Sequence, residues 1–425
     1  MTTLSAVGFP DSEVRRRARE GRAAAFPRVE QYGSTLYGAT PAAAGGTDLL
    51  DALRLVPPVF VPRRLEKLIE LAREPVYRDV DLRTGIGGFR SRLPLYLSAF
   101  GSTQVAAKNL GIAVSVQAGR AGIPMVIGEN VVPVNGYGRS QPADSALLGR
   151  IRAYAEAVPP GFGGVVIQQS TEDADAEVWN LVYSDPYVQD LLESGRLAFE
   201  LKVGQGAKPG LGGLTIVDRR TADRLSEAYE IDDQCGFGAM ALRCSSPGTF
   251  TDEILRQQIR LMRNNYPRAR VWVKLPPARD VREAALVAWQ AGADAVTVDG
   301  AEGGTGWAPL CFLQEVGLPL GECLSRIGPT THCLLASGRM WEGSRVAKAL
   351  ALGARAVGLG RAALLAVDED PVDGFLRLTE CLAGELQMLT SALGKYHTDH
   401  LGLEDLWHPD LPMTAQPVLT NAELR

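Results

Sequence analysis

The stretch Ala291–Gly306 reads AGADAVTVDGAEGGTG and contains the pattern on which the rest of the chain is built. Its apolar run, Ala295–Val298, follows a helical pattern that ends at Gly292. A short apolar run bounded by glycine predicts a buried parallel strand. The seven residues 300–306 contain four glycines, which are Gly300, Gly303, Gly304 and Gly306. Such a turn allows a ligand to approach the backbone closely.

The same order of elements recurs downstream. The apolar run Cys333–Ala336 ends in Ser-Gly-Arg, and a helical pattern then covers Ser344–Leu352. A further apolar run, Ala356–Leu359, ends in Gly-Arg. Strands, glycine turns and helices in alternation are typical of a (β/α)8 barrel, whose last loops often bind a phosphate. We therefore predict the α/β class and a (β/α)8 TIM barrel with N-terminal and C-terminal helical extensions.

Nine apolar runs are candidate strands, although a barrel needs eight. In chain order they are Leu93–Ala99, Pro124–Ile127, Gly164–Gln169, Ala198–Val203, Met240–Cys244, Val271–Leu275, Ala295–Val298, Cys333–Ala336 and Ala356–Leu359. One of them is expected outside the barrel, within residues 164–244. We predict three parts, which are an N-terminal cap of helices and loops over 1–92, the barrel over 93–366, and a C-terminal helical tail over 367–425.

Composition and charge limit the class of protein. Hydrophobic residues make up 46% and charged residues 22% of the 425 residues, which is ordinary for a globular protein. A net charge of −5 without a basic block argues against nucleic acid, and no apolar run is long enough to predict a membrane span. The six cysteines include no C-x-x-C pair, so neither an iron–sulfur cluster nor another metal site is predicted. Because the N-terminus also has no apolar leader, we expect a cytoplasmic protein.

The two glycine turns near the end of the predicted barrel are candidates for a phosphate site. Backbone N–H groups at Gly338, Arg339, Gly358 and Gly360 could surround the anion, and Arg361 could add a positive charge. The alternative is that these glycines only allow tight turns between strand and helix.

Three further residues are candidates for chemistry. Lys274 lies near the carboxyl end of an apolar strand, where such barrels build their active sites. A lysine buried there could favour the negative charge of a reduced flavin, although a lysine at a strand end could also reach solvent. Lys208 lies among glycines in the loop Gly204–Gly213, and Glu129 follows the second strand. The alternatives are that the loop around Lys208 is a plain linker and that Glu129 is a solvated acid.

Five segments resemble the FMN-binding domain of glutamate synthase and its stand-alone relatives, within residues 48–367. They read ELKVGQGAKPG, VKL around Lys274, DGAEGGTGWAP, ASGRMWEGSRVAKALALGARAVGLGRAAL and GEN at 128–130. The family motif that corresponds to the third segment is S-G-H-D-G-G-T-G-x-x-P. The resemblance implies a barrel that binds FMN, with the phosphate on the two glycine turns and the flavin ring over the first strand.

The resemblance also implies roles for single residues. The residues expected to bind FMN are Ser98, Ala99, Gln169, Lys274, Gly303, Gly304, Gly338, Arg339, Gly358, Gly360 and Arg361. The family's 2-oxoglutarate or 2-iminoglutarate site implies that the catalytic residues are Lys274, Glu129 and Lys208. The residues expected to bind the substrate are Glu129, Lys202, Gln205 and Lys208.

The chain departs from the family pattern at several points. The cysteine cluster that normally follows the last strand is absent, so we expect no [3Fe–4S] centre. We also expect no amidotransferase domain with a leading cysteine. Ala301-Glu302 replaces the family's His-Asp, Leu211 replaces a glutamate, and Ser245–Asp252 lacks the family's histidine. The substrate pocket is therefore expected to differ from that of glutamate synthase.

We predict an FMN-dependent oxidoreductase that acts on the C–N bond, amine or imine, of an amino-acid-like substrate. Three alternatives stay open: a redox-neutral amine exchange of the N-methylglutamate synthase type, a 2-hydroxy-acid oxidase, and a non-catalytic flavin-binding subunit of a larger complex. The oxidase reaction uses a histidine on the glycine loop, where this chain has Ala301. The expected partners are the small-molecule substrate and a separate amidotransferase or electron-donor protein, and we expect a homo-oligomer.

Overall fold

The computed structural model describes residues 4–25, 48–99, 110–128, 147–170, 176–204, 206, 215–227, 230–232, 240–244, 250–304 and 315–409. Eight parallel strands close into a barrel and follow one another around the ring in chain order. We number these strands β1 Leu95–Leu97, β2 Met125–Ile127, β3 Val165–Ser170, β4 Leu197–Lys202, β5 Arg270–Leu275, β6 Ala295–Asp299, β7 Leu334–Ser337 and β8 Ala356–Leu359. The predicted (β/α)8 barrel is confirmed.

Helices cover the barrel and form much of the two terminal segments. The α-helices of the described residues are Asp11–Glu20, Leu49–Ala52, Pro62–Leu71, Leu110–Ala121, Leu147–Ala157, Ala176–Ser184, Gln189–Glu193, Arg219–Leu225, Asp252–Asn265, Val281–Gln290, Leu320–Ile327, Gly343–Ala351, Arg361–Glu369 and Gly374–Ala392. Local sequence explains several helix starts. The side chain of Thr251 accepts a hydrogen bond from the N–H of Ile254 and caps Asp252–Asn265, while proline occupies the first position of Pro62–Leu71.

One of the nine candidate strands, Met240–Cys244, lies outside the barrel, and it falls within residues 164–244, where the extra strand is predicted. It is the central strand of a three-stranded antiparallel sheet, between Thr215–Asp218 and Glu230–Asp232. The two outer strands have only four and three residues. Segments this short are not long enough to show a clear alternation of apolar and polar residues, which is why the sequence did not indicate them.

A ring of apolar side chains fills the barrel interior near the amino ends of the strands. Each strand contributes one member, and the ring consists of Tyr96, Val126, Val166, Ala198, Trp272, Ala295, Leu335 and Ala356. A β-hairpin, Thr84–Ile86 with Phe89–Ser91, adds Ile86 and Phe89 to the same cluster. The indole N–H of Trp272 donates to the carbonyl oxygen of Gly87 at 3.0 Å. We call these ten residues the floor, because together they close the amino end of the barrel.

The N-terminal segment packs on the last helices. Arg17 lies 2.7 Å from Glu385 on the helix Gly374–Ala392, and its guanidinium lies 5.0 Å from the ring centre of Trp341. Arg15 pairs with Asp368 at 2.9 Å on the helix Arg361–Glu369. These contacts join two segments that are distant in sequence, and the division at residues 92 and 366 stays a prediction.

Within the described ranges, we find no helix with the length and hydropathy that a bilayer span requires. The same residues include no group of three or more His, Cys, Asp and Glu side chains placed to hold a metal ion.

Candidate active site

The inward positions next above the floor are polar or glycine on every strand. They lie two residues after the floor residues, as the alternation of a strand requires, and are Ser98, Gly128, Gln168, Glu200, Lys274, Thr297, Ser337 and Gly358. Because all eight strands are parallel, these positions meet at the carboxyl end of the barrel, where barrel enzymes build their active sites. We call this ring the mouth.

Glu200 is the centre of the hydrogen bonds in the mouth. It is 1% exposed, and its carboxylate accepts hydrogen bonds from the amide of Gln168 and from the hydroxyl of Thr297, the latter at 3.2 Å. Burial raises the pKa of the Glu200 carboxyl, while the positive charge of Lys274 opposes this rise. The acid is therefore enclosed by polar groups that come from three different strands.

Lys274 is buried in the mouth and paired there. Its exposed fraction is 6%, and Nζ lies 3.1 Å from Oδ2 of Asp299. The other carboxylate oxygen of Asp299 accepts a hydrogen bond from the hydroxyl of Ser337. Lys274 therefore lies inside the barrel and does not reach solvent.

Ser98 packs against Gly358 at one side of the mouth. Oγ of Ser98 is buried and has no hydrogen-bond partner among the described residues. A Cβ atom added at Gly358 would overlap the Ser98 hydroxyl and the ring of Tyr96, so only glycine fits at this position. A buried hydroxyl without a partner is costly unless a ligand or water meets it.

The turns after β7 and β8 place two arginines and a helix start close together. Arg339 has a φ of +53°, a left-handed conformation that only one other non-glycine residue of the described chain adopts. The helix Arg361–Glu369 begins directly after Gly360, and its first N–H groups have no acceptor within the helix. Burial and the nearby charge of Arg339 lower the pKa of Arg361. This combination of N–H groups and cations is suited to a phosphate.

The glycine loop after β6 is tied to the N-terminal segment by an ion cluster. Arg345 is 1% exposed and pairs with Asp48, with Asp51 at 2.6 Å and with Glu302 at 2.8 Å. Burial and the negative charge of Asp48 raise the pKa of Glu302 to about 8. Asp51 also pairs with Arg339 at 2.8 Å. The cluster connects the N-terminal segment to the glycine loop after β6 and to the turn after β7.

The remaining predicted residues fall into two groups. Glu129, Gln205 and Lys208 lie outside the described residues. Gln169 is buried, but alternation places it on the face of β3 opposite Gln168, and its amide donates to the Gln168 carbonyl at 2.9 Å. Lys202 is the inward position above Glu200 on β4.

Other predicted residues line the mouth. Ala99 follows Ser98 at the end of β1, and a Cβ atom added at Gly304 would lie 3.1 Å from Cγ of Arg361. Sequence reasoning missed the site roles of Gln168, Glu200, Thr297, Asp299, Ser337 and Arg345. Inward positions recur every second residue along a strand, so the residue two positions after each floor residue also points inward. This rule would have found four of them, which are Gln168, Glu200, Thr297 and Ser337.

Solved structures with the same architecture define the class of this chain by its fold. The flavin-binding domain of baker's yeast flavocytochrome b2 is similar with a TM-score of 0.54 at 18% identity, covering 88% of this chain and 80% of that chain. A soluble mutant of membrane-associated (S)-mandelate dehydrogenase from Pseudomonas putida gives 0.53 at 20% identity, covering 94% and 99%. At this identity the likeness concerns the fold alone, which is a (β/α)8 barrel.

Sequence comparisons relate part of the chain to glutamate synthases. Residues 188–370 match the conserved region in glutamate synthase. A glutamate synthase large subunit-like protein of Rhizobium meliloti is 33% identical over 249 residues, which are 55% of this chain and 53% of that protein. An archaeal-type glutamate synthase [NADPH] of Dehalococcoides mccartyi is 34% identical over 188 residues, 42% of this chain and 36% of that protein. Residues 188–370 are therefore similar to the conserved region of glutamate synthase, and the chain spans about half or less of these relatives' length.

Proposed function

We propose that this chain is an FMN-dependent oxidoreductase that acts on the C–N bond, amine or imine, of an amino-acid-like substrate. The observation that carries the proposal is the mouth, with a buried lysine at one side and glycine turns with two arginines at the other. The similarity to glutamate synthases supports the same reaction class. The turns offer one phosphate site, as FMN requires.

The described residues fit FMN. The unpartnered hydroxyl of Ser98 offers a hydrogen-bonding group, and the glycine at 358 allows this hydroxyl to pack against the backbone of β8. The start of the helix at Arg361 and the left-handed turn at Arg339 offer N–H groups and positive charge for the phosphate. The residues proposed to hold FMN are Ser98, Ala99, Lys274, Gly303, Gly304, Gly338, Arg339, Gly358, Gly360 and Arg361. When bound, FMN would accept or donate a hydride at the substrate carbon.

The residues of the chain would bind the substrate and adjust the charge of the site. Lys274 would hold a positive charge at the pyrimidine edge of the flavin. Lys208 would bind a substrate carboxylate, Glu129 would bind the substrate amine, and Lys202 and Gln205 would also bind the substrate. A charge-assisted hydrogen bond of this kind contributes roughly 1.5–3 kcal/mol. In this proposal Lys274, Glu129 and Lys208 are the catalytic residues.

The 2-hydroxy-acid oxidase is disfavoured, because its reaction needs a histidine base beside the flavin. The glycine loop has Ala301 and Glu302, and Glu302 pairs with Arg345 at 2.8 Å. The four histidines lie elsewhere. His332 precedes β7 at the amino end and stacks on Trp289 with ring centres 4.9 Å apart, and the other three follow the helix Gly374–Ala392.

Redox-neutral amine exchange and a non-catalytic flavin subunit remain as alternatives within the proposal. A separate amidotransferase would supply ammonia, or a separate electron-donor protein would supply electrons. We also propose that the chain works as a homo-oligomer in the cytoplasm.

The first experiment is reconstitution of the full chain with FMN, removal of free flavin, denaturation and chromatography of the released flavin. One FMN per chain supports the proposal, whereas FAD or no flavin overturns it. The second experiment adds amino acids and N-methyl amino acids without oxygen and follows the flavin absorbance. Bleaching by an amine supports the enzyme, and exchange of labelled amine without bleaching indicates amine exchange. No change until a second protein is added indicates a subunit.

A further inference from the structure

Lys274 and Asp299 form a buried ion pair in the mouth. Their exposed fractions are 6% and 3%, and Nζ lies 3.1 Å from Oδ2. The parallel register sets Lys274 beside Thr297, so that Asp299 is the next inward position on the neighbouring strand β6. The carboxylate therefore meets the ammonium from the open side of the barrel.

A second contact fixes the orientation of Asp299. The hydroxyl of Ser337, its register partner on β7, donates to Oδ1. The glycine loop lies close above, because a Cβ atom added at Gly303 would be 3.4 Å from Cγ of Asp299. With one oxygen on Ser337 and the other on Lys274, the carboxylate holds the ammonium towards β6.

Glu200 adds a second acid on the other side of the same lysine. Strands β4 and β6 are the two neighbours of β5, and the register sets Glu200 beside Trp272, one inward position below Lys274. Lys274 therefore lies between acidic side chains from both neighbouring strands. Charges interact strongly here because little water screens them in a buried site.

Asp299 is also a departure from the family motif. The motif S-G-H-D-G-G-T-G has serine at the position where DGAEGGTG begins with Asp299. Serine carries no charge, so this chain has one carboxylate more beside the lysine than the motif provides. A negative charge 3.1 Å from the ammonium offsets the potential that the ammonium exerts on any third group.

We infer that Asp299 is a positioning residue that weakens the stabilisation Lys274 gives to negative charge on the cofactor. The inference rests on the proposed flavin site. In the FMN-loaded chain, Asp299 lowers the reduction potential of the flavin relative to a neutral residue at this position. The chain keeps the barrel and Lys274, while aspartate in place of the motif's serine at position 299 makes the flavin harder to reduce.

The experiment measures the reduction potential of the FMN-loaded full chain against a reference dye during slow reduction with xanthine and xanthine oxidase. For Asp299→Asn we expect the equilibrium constant for reduction to rise at least tenfold, which is about 30 mV for a two-electron couple. Asp299→Ser, which restores the residue of the motif, should shift the potential in the same direction and serves if the Asn variant does not fold.

The matched control is Asp294→Asn. Asp294 precedes β6 at the other end of the strand and pairs with Arg263 at 2.7 Å, so the substitution removes the same net charge far from the mouth. Its potential should equal that of the wild type. An unchanged potential in both Asp299 variants, or an equal shift in Asp294→Asn, overturns the inference while FMN binding stands. A chain that binds no FMN overturns the proposed function and this inference with it.

Discussion

The floor and the mouth of the barrel are built from the same eight strands, yet they have opposite chemistry. On each strand the two inward positions are two residues apart, and the lower one is apolar whereas the upper one is polar or glycine. Alternation fixes that both positions point inward, but it does not fix their polarity. The difference shows that one layer of the barrel stabilises the fold and the next layer carries the site.

The physical costs of the two layers also differ. Apolar contacts in the floor stabilise the barrel, since Trp272, Phe89 and Ile86 are at most 1% exposed. Burial of Glu200, Lys274 and Asp299 in the mouth costs free energy unless each group finds a partner. We therefore expect floor substitutions to change the free energy of unfolding and mouth substitutions to change mainly the binding of FMN.

The largest effect is expected for Trp272→Ala in the floor. The substitution removes a fully buried ring and leaves the Gly87 carbonyl without its donor. The free energy of unfolding should fall by about 3–5 kcal/mol, as measured by urea denaturation followed by circular dichroism. The control Trp407→Ala changes a ring that is 48% exposed and should lose less than about 1 kcal/mol. Equal losses in the two variants would contradict the role of the floor.

The next effect is expected for Gly358→Ala in the mouth. The added methyl group would overlap Ser98 and Tyr96, so the chain should lose about 1–3 kcal/mol of stability and most of its FMN. The control Gly149→Ala adds a methyl group whose nearest neighbour is Ile112 at 3.5 Å, and it should retain both. The double variant Gly358→Ala with Ser98→Ala should recover part of the lost stability. If Gly358→Ala binds FMN normally, the packing of Ser98 against Gly358 does not serve the cofactor.

A smaller effect concerns pH. Glu302 has a pKa raised to about 8, so the folded protein holds its proton more tightly than the unfolded chain does. The resulting stabilisation is present in full below the ordinary carboxyl pKa range, and it is lost as pH rises through about 8. The pKa of Asp48 is lowered by the hydrogen bond from Glu302 and by Arg345, against burial, so its contribution is lost only as pH falls below that range. Between pH 6 and 9 the wild type should lose on the order of 1 kcal/mol relative to Glu302→Gln.

This pH dependence is measured from urea midpoints at several pH values in both proteins. Parallel curves for the wild type and Glu302→Gln would show that the Glu302 proton is not coupled to folding. Glu322→Gln is a suitable control, because Glu322 is an exposed acid paired with Arg326 at 2.7 Å within one helix.

The smallest change in stability is expected for Ser98→Ala. Its hydroxyl has no partner among the described residues, so its removal should change the free energy of unfolding by less than about 1 kcal/mol. FMN should bind roughly five- to tenfold more weakly, because one hydrogen bond is lost. The matched variant is Ser91→Ala in the floor hairpin, where the hydroxyl donates to the Leu93 carbonyl at 2.7 Å. It should lose about 1 kcal/mol of stability and leave FMN binding unchanged.

Sequence reasoning found the barrel because its signals are local. Apolar runs indicated all eight barrel strands and one extra strand within residues 164–244, since each signal spans fewer than ten residues. The structure identified Met240–Cys244 as the extra strand. Lys274 was found for the same reason, as a lysine in an apolar strand. Gln169 was named although Gln168 is the inward residue, because the sequence alone does not set which of two adjacent glutamines faces the mouth.

The sequence by itself determined the class of fold, the number and order of the barrel strands, and the glycine turns after β7 and β8, because these depend on neighbours along the chain. Only the tertiary structure decided that Asp299 meets Lys274 across two strands and that Arg345 joins Asp48 to Glu302. Those contacts depend on strand register and on the docking of the N-terminal segment. Residues 297 positions apart, such as Asp48 and Arg345, leave no local pattern that could predict their ion pair.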